Sequence, residues 1–147
     1  MTPSGLLSRL RGDATGGALI EFALLAPLFI AVLIGVLQVG TYMQNYTAVR
    51  SLASDAARFA AVEYQKTNDV SPQVLEADIG AMGSASPYNL GSDRLHVDVE
   101  EVTPSDVDGS RKFDLDITYD VPTFISGAGF SALTLAYSRP LYVINNS

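Results

Sequence analysis

Between Phe22 and Val39 the chain runs for 18 residues, FALLAPLFIAVLIGVLQV, with no charged side chain and one polar residue, Gln38. At a rise of 1.5 Å per residue a helix of this length measures about 27 Å, close to the roughly 30 Å hydrocarbon core of a bilayer. A transmembrane helix is therefore expected here. A cleaved secretory signal fits poorly, because its apolar region spans only about 7–15 residues and ends in a small-x-small site. Here Thr41-Tyr42-Met43-Gln44-Asn45 continues in helical character instead.

The rest of the 147-residue chain is of ordinary polarity and acidic, so one modest domain beyond the span is expected. From Thr41 onward seven Lys and Arg face fourteen Asp and Glu, which accounts for the whole formal net charge of −7. Nucleic-acid binding needs clustered cations to displace phosphate counterions, so nucleic acid is excluded as a partner class. The chain has no cysteine, which rules out disulfides, thiolate zinc sites and cysteine nucleophiles. Arg9 and Arg11 precede the span, and the next base is Arg50. The positive-inside rule then places the N-terminus in the cytoplasm and the acidic domain outside, as for a single-pass protein of a bacterial inner membrane.

Glu21 stands at the mouth of the apolar run, between Ala18-Leu19-Ile20 and Phe22-Ala23-Leu24-Leu25. A carboxylate at the bilayer centre costs about 2.5–3.5 kcal/mol, and less near the interface. Taken alone, Glu21 reads as a helix-start residue favoured by the N-terminal dipole and wet headgroups. Its neighbours point further. The string Gly16-Gly17-Ala18-Leu19-Ile20-Glu21-Phe22 resembles the type III signal of prepilins, and its continuation through Ala26-Pro27-Leu28 resembles the TadE family of the tight-adherence (Tad, or Flp) type IV pilus. Residues 16–61 carry the resemblance, including Ala56-Ala57-Arg58-Phe59-Ala60 beyond the span. It implies a cleaved leader of residues 1–16, a cut between Gly16 and Gly17 by a prepilin peptidase, and Glu21 fifth and Phe22 sixth in the mature chain. Major Flp pilins usually carry tyrosine after the glutamate and are much shorter. Phe22 and the appended domain fit the pseudopilin or minor-pilin branch better.

The chemistry of that motif also stands without the family. Glycine at the cut lets the backbone enter a narrow site. Cleavage exposes an α-amino group on Gly17 that is charged at neutral pH. Gly17 and Glu21, four residues apart, share a helix face. Glu21 then has a cation to pair with, either its own terminus or that of a neighbouring subunit, and the residues do not choose between them. Pro27, six residues past Glu21, removes a helical hydrogen bond and is expected to kink the helix.

Beyond the span, Tyr42, Tyr46, Val49, Ala53, Ala56, Ala57, Ala60, Ala61 and Tyr64 recur at helical steps, so the long helix is expected over 17–66, with its membrane part at about 18–40. Asp55 and Arg58 are placed to pair at i, i+3. The alanine stripe suits either an intramolecular cover for a sheet or packing between subunits. Ser71 and Pro72 read as the cap and first residue of a short helix over Gln73 to about Met82. The period then changes to two. Strands are expected at about 94–102, 112–121 and 132–144, with a hairpin turn at Asp108-Gly109. The fold class is α+β: a long N-terminal helix packed on a small antiparallel sheet, pilin-like, with residues 67–147 as the exported domain. In the loop that follows, Phe124, Ile125 and Phe130 either pack under the sheet or make a contact.

Catalysis finds no constellation. His96, the single histidine, lies on the polar side of its strand, and no orienting partner is evident. Asp106-Val107-Asp108-Gly109 lacks the third ligand and the distal glutamate of a calcium loop, since position 115 is leucine. Weak calcium binding by the acidic strand face is a remote alternative. No cofactor or metal is expected. The TadE resemblance implies a membrane-anchored minor pilin or pseudopilin acting in pilus assembly, adhesion and surface colonisation. Its expected partners are the prepilin peptidase, other pilins, assembly-platform proteins and membrane lipid. The competing reading is an unprocessed, stably anchored scaffold or binding domain.

Overall fold

The computed structural model describes residues 14–67, 69–124 and 133–144. Arg9, Arg11, Ile125 and Phe130 lie outside them. Helix α1 spans Ala14–Thr67, and α2 spans Pro72–Ser84. They are followed by strands β1 (Leu95–Val102), β2 (Ser110–Val121) and β3 (Leu133–Ile144). The chain divides into two units, Met1–Val39 and Gly40–Ser147, and α1 contributes residues to each.

In the N-terminal unit α1 is apolar all round. Leu19, Phe22, Leu24 and Phe29 are 68%, 70%, 74% and 69% exposed, and nothing in the unit covers them. A helix without a polar face needs an apolar surrounding. This one is long enough to cross a membrane and is compatible with a single-pass anchor. The helical backbone continues through Pro27, whose missing amide leaves one bond of the ladder unmade.

The helix begins at Ala14, three residues ahead of the expected start at Gly17. The physical reason is the reach of the ladder. Starting at Ala14 gives the amides of Ala18, Leu19 and Ile20 carbonyl partners four positions earlier, where a start at Gly17 would leave them as unpaired first-turn donors.

In the C-terminal unit the sheet is a three-stranded antiparallel meander in the order β1-β2-β3. β2, the central strand, shows the cleanest alternation: Phe113, Leu115, Ile117, Tyr119 and Val121 are buried, while Asp116 is exposed. The β1–β2 hairpin closes where the amide of Ser110 donates to the Val107 carbonyl at 3.2 Å, leaving Asp108 and Gly109 central. Gly109 has φ +75°, a backbone region that L side chains rarely adopt. This tight closure lets β2 begin at Ser110, two residues before the expected start. Pro140 sits in β3, an edge strand, where a missing amide is tolerated.

The C-terminal part of α1 covers the inner face of this sheet. Val49, Leu52, Ala53, Ala56, Ala60 and Tyr64 are buried in one core with Phe113, Leu115, Leu141 and Val143. Ala53, Ala56 and Ala60 are fully buried in that core, so the alanine stripe is part of the cover of the sheet. Ala57 is only partly buried and Tyr46 is 39% exposed, so the stripe is narrower than the sequence pattern suggests.

α2 begins as its cap chemistry requires: Ser71 Oγ accepts from the Val74 amide at 3.4 Å, and Pro72 opens the helix. It runs to Ser84, two residues past the expected Met82, and buries Leu75 and Ile79. Gly83 on its last turn permits close contact, since a Cβ there would lie 2.5 Å from Leu95 Cδ2 and 2.7 Å from Leu52 Cδ2.

Candidate processing and assembly site

The residues singled out for processing and assembly fall on the first turns of α1. Gly16 and Gly17 are both helical, so the bond between them lies inside a hydrogen-bonded turn. Two adjacent glycines make that turn easier to open, since each lowers helix stability by about 1 kcal/mol relative to alanine. Gly17 is exposed, and a Cβ on it would meet nothing within 4 Å. Glu21 follows one turn later on the same face, also exposed. From Phe22 to Val49 no Asp, Glu, Lys or Arg occurs, so Glu21 is the only charge on this stretch of α1 until Arg50. Phe22 is 70% exposed, adding a large apolar surface beside the carboxylate. Pro27 lies further along the same helix.

A carboxylate on an otherwise apolar helix is an unfavourable feature that one nearby cation would offset. In the uncut chain the nitrogen of Gly17 is an amide and carries no charge. A peptide cut at Gly16–Gly17 would place an ammonium four residues from Glu21, on its own face.

The C-terminal unit holds polar contacts that sequence reasoning missed. The expected Asp55–Arg58 pair does not form. The Tyr88 hydroxyl instead donates to Asp55 across 33 positions of sequence. Burial, then the hydrogen bond to Asp55 and its negative charge, push the Tyr88 phenol up to about 12. Tyr88→Phe is expected to cost about 1.5–3 kcal/mol, since it deletes a bond to a charged acceptor. The pH dependence has a definite sign. A raised phenol pKa stabilises the fold fully below the ordinary value near 10, and that contribution is lost as pH rises through about 12. Urea midpoints of wild type and Tyr88→Phe should therefore differ at pH 8 and converge at strongly alkaline pH.

Arg111 joins three segments. It makes two 2.8 Å bonds to Glu101 on β1, reaches Asp69 at 3.5 Å, and lies 5.1 Å above the Phe113 ring. The Arg111 hydrogen bond holds the Glu101 carboxyl below its usual range. Asp106 of the former calcium candidate accepts from the Tyr142 hydroxyl at 3.1 Å and pairs with Lys112 at 3.6 Å. Among the described residues no three acidic or histidine side chains gather as a metal site. His96 is exposed on β1, opposite Thr118.

Comparison with known families gives one match: residues 16–58 fit the family model described as TadE-like protein, starting at Gly16. The match points to a Tad pilus-related protein. No curated protein and no solved structure matches the chain.

Proposed function

We propose that this chain, whose residues 16–58 fit the TadE-like family, is a minor pilin or pseudopilin of a tight-adherence type IV pilus. A prepilin peptidase hydrolyses the Gly16–Gly17 amide. Water supplies the hydroxyl to the Gly16 carboxyl and the proton to the Gly17 amine, and the leader departs. The new ammonium has an ordinary pKa of about 7.7–8.0 and is largely protonated at neutral pH. Glu21 is matched by that ammonium, on its own chain or on a neighbour, and a matched pair is far less costly among apolar helices than a lone charge.

The observation that carries this reading is the coincidence of the family match, which opens at Gly16, with an uncovered apolar helix bearing a single carboxylate five residues later. The uncovered helix first resides in inner-membrane lipid, with the N-terminus cytoplasmic and the C-terminal unit outside. It then packs with other pilins and assembly-platform proteins in building the fibre, which serves adhesion and surface colonisation. The chain is a building block and a peptidase substrate, and it catalyses nothing itself.

The test is intact mass of the full chain made with and without a prepilin peptidase. Loss of the sixteen leader residues only in the peptidase host supports processing. An unshifted mass in both hosts leaves an anchored scaffold as the correct reading.

A further inference from the structure

Seven Lys and Arg side chains belong to the C-terminal unit. Four have a carboxylate partner: Lys66 with Glu63 at 3.1 Å, Arg94 with Asp93 at 3.6 Å, Arg111 with Glu101 at 2.8 Å, and Lys112 with Asp106 at 3.6 Å. Among the described residues Arg50, Arg58 and Arg139 have none, in a unit with twice as many acids as bases. These three are grouped. Arg50, Ser54 and Arg58 follow at four-residue steps on the exposed side of α1. Arg139 on β3 donates to Ser54 Oγ at 3.1 Å, which brings a third guanidinium to the middle of the row.

The far face of the sheet has the opposite character. In the β1–β2 register Asp98 lies opposite Asp116, and Glu100 lies opposite Asp114. Directly opposed residues have Cβ atoms about 4.5–5.5 Å apart, and like charges so placed destabilise a sheet. None of these four carboxylates has an ion pair among the described residues. The unit on its own therefore holds two surfaces of opposite sign, one on its helix layer and one on the outer side of its sheet, where Lys112, paired with Asp106, offsets only part of the charge beside Asp114.

We propose that the arginine row of one copy docks on the four-carboxylate face of a second copy. Each surface supplies what the other lacks. Guanidinium groups are suited to bridging paired carboxylates, because their donors form a planar fork. Their arrival relieves the cross-strand repulsion that the isolated sheet carries. Because the two surfaces differ, the contact is head-to-tail. Each docked copy keeps one free arginine row or one free acidic face, so the assembly extends instead of closing as a two-fold dimer. The inference deepens the pilin reading by naming a contact between C-terminal units, yet it does not require cleavage at Gly16.

The absence of cysteine makes the test direct. One full-length copy carries Ser51→Cys beside the arginine row. The other carries Ser138→Cys, which lies opposite Asp116 on the outer face of the sheet. Both are produced in membranes of a host without a prepilin peptidase, so the outcome is independent of processing. Oxidation should give a disulfide-linked heterodimer. Arg50→Glu with Arg58→Glu on the Ser51→Cys copy should lower its yield by roughly tenfold or more, through like-charge contact. Asp98→Lys with Asp116→Lys on the Ser138→Cys copy should restore it. High salt should weaken the wild-type link, as expected for exposed charges. Absence of the heterodimer, or a yield indifferent to the arginine reversals, overturns the proposal. Failure of the compensating lysines to recover the link, with both variants folded by proteolysis, also overturns it and turns attention to an anionic lipid or another protein.

Discussion

Phe113→Ala is expected to remove most of the stability of the C-terminal unit. Phe113 is fully buried on the central strand, opposite Leu141 on β3 and beneath the Arg111 guanidinium. Truncating such a side chain typically costs about 3–5 kcal/mol, because transfer energy is lost and the cavity collapses only in part. Whole domains are stable by only about 5–15 kcal/mol. A unit this small, without disulfides, lies toward the low end of that range. Pulse proteolysis of the membrane-embedded chain in urea should show a large fall in midpoint. Val74→Ala, on the exposed side of α2, should stay within about 0.5 kcal/mol of wild type. Equal midpoints for Phe113→Ala and wild type would show that the core is not centred on β2.

Glu21→Ala should act elsewhere. Removing the carboxylate leaves membrane insertion intact or slightly improved, since a charge in that position costs free energy. Incorporation into filaments should fall steeply. The Gly17 ammonium then enters an apolar bundle without its counter-charge, and breaking such a buried pair costs about 3 kcal/mol or more, a factor of roughly one hundred. Glu21→Gln, which keeps the size and loses the charge, should behave like Glu21→Ala. Equal filament incorporation of wild type and both variants would remove the assigned role of the carboxylate.

Much of this architecture is legible in the residues because its signals are local. Alternation from Phe113 to Val121 needs only the two-residue period of a strand, and the Ser71-Pro72 cap and Asp108-Gly109 turn need only their own backbone chemistry. The proposed processing motif is local as well, since glycines, glutamate and apolar run occupy a single stretch of helix. What escaped is non-local. Asp55 has a nearby arginine in sequence and yet bonds Tyr88, because the loop after α2 brings that phenol against α1. Arg139 meets Ser54 across 85 positions. The opposition of Asp98 with Asp116 depends on strand register, which a hairpin sets through the length of its loop.

The central claim concerns the chain end that assembly uses. Filaments sheared from cells and washed free of membrane should yield this protein with Gly17 as its first residue, established by N-terminal sequencing. Recovery from those filaments of protein beginning at Met1, with Gly16 still bonded to Gly17, would contradict the account.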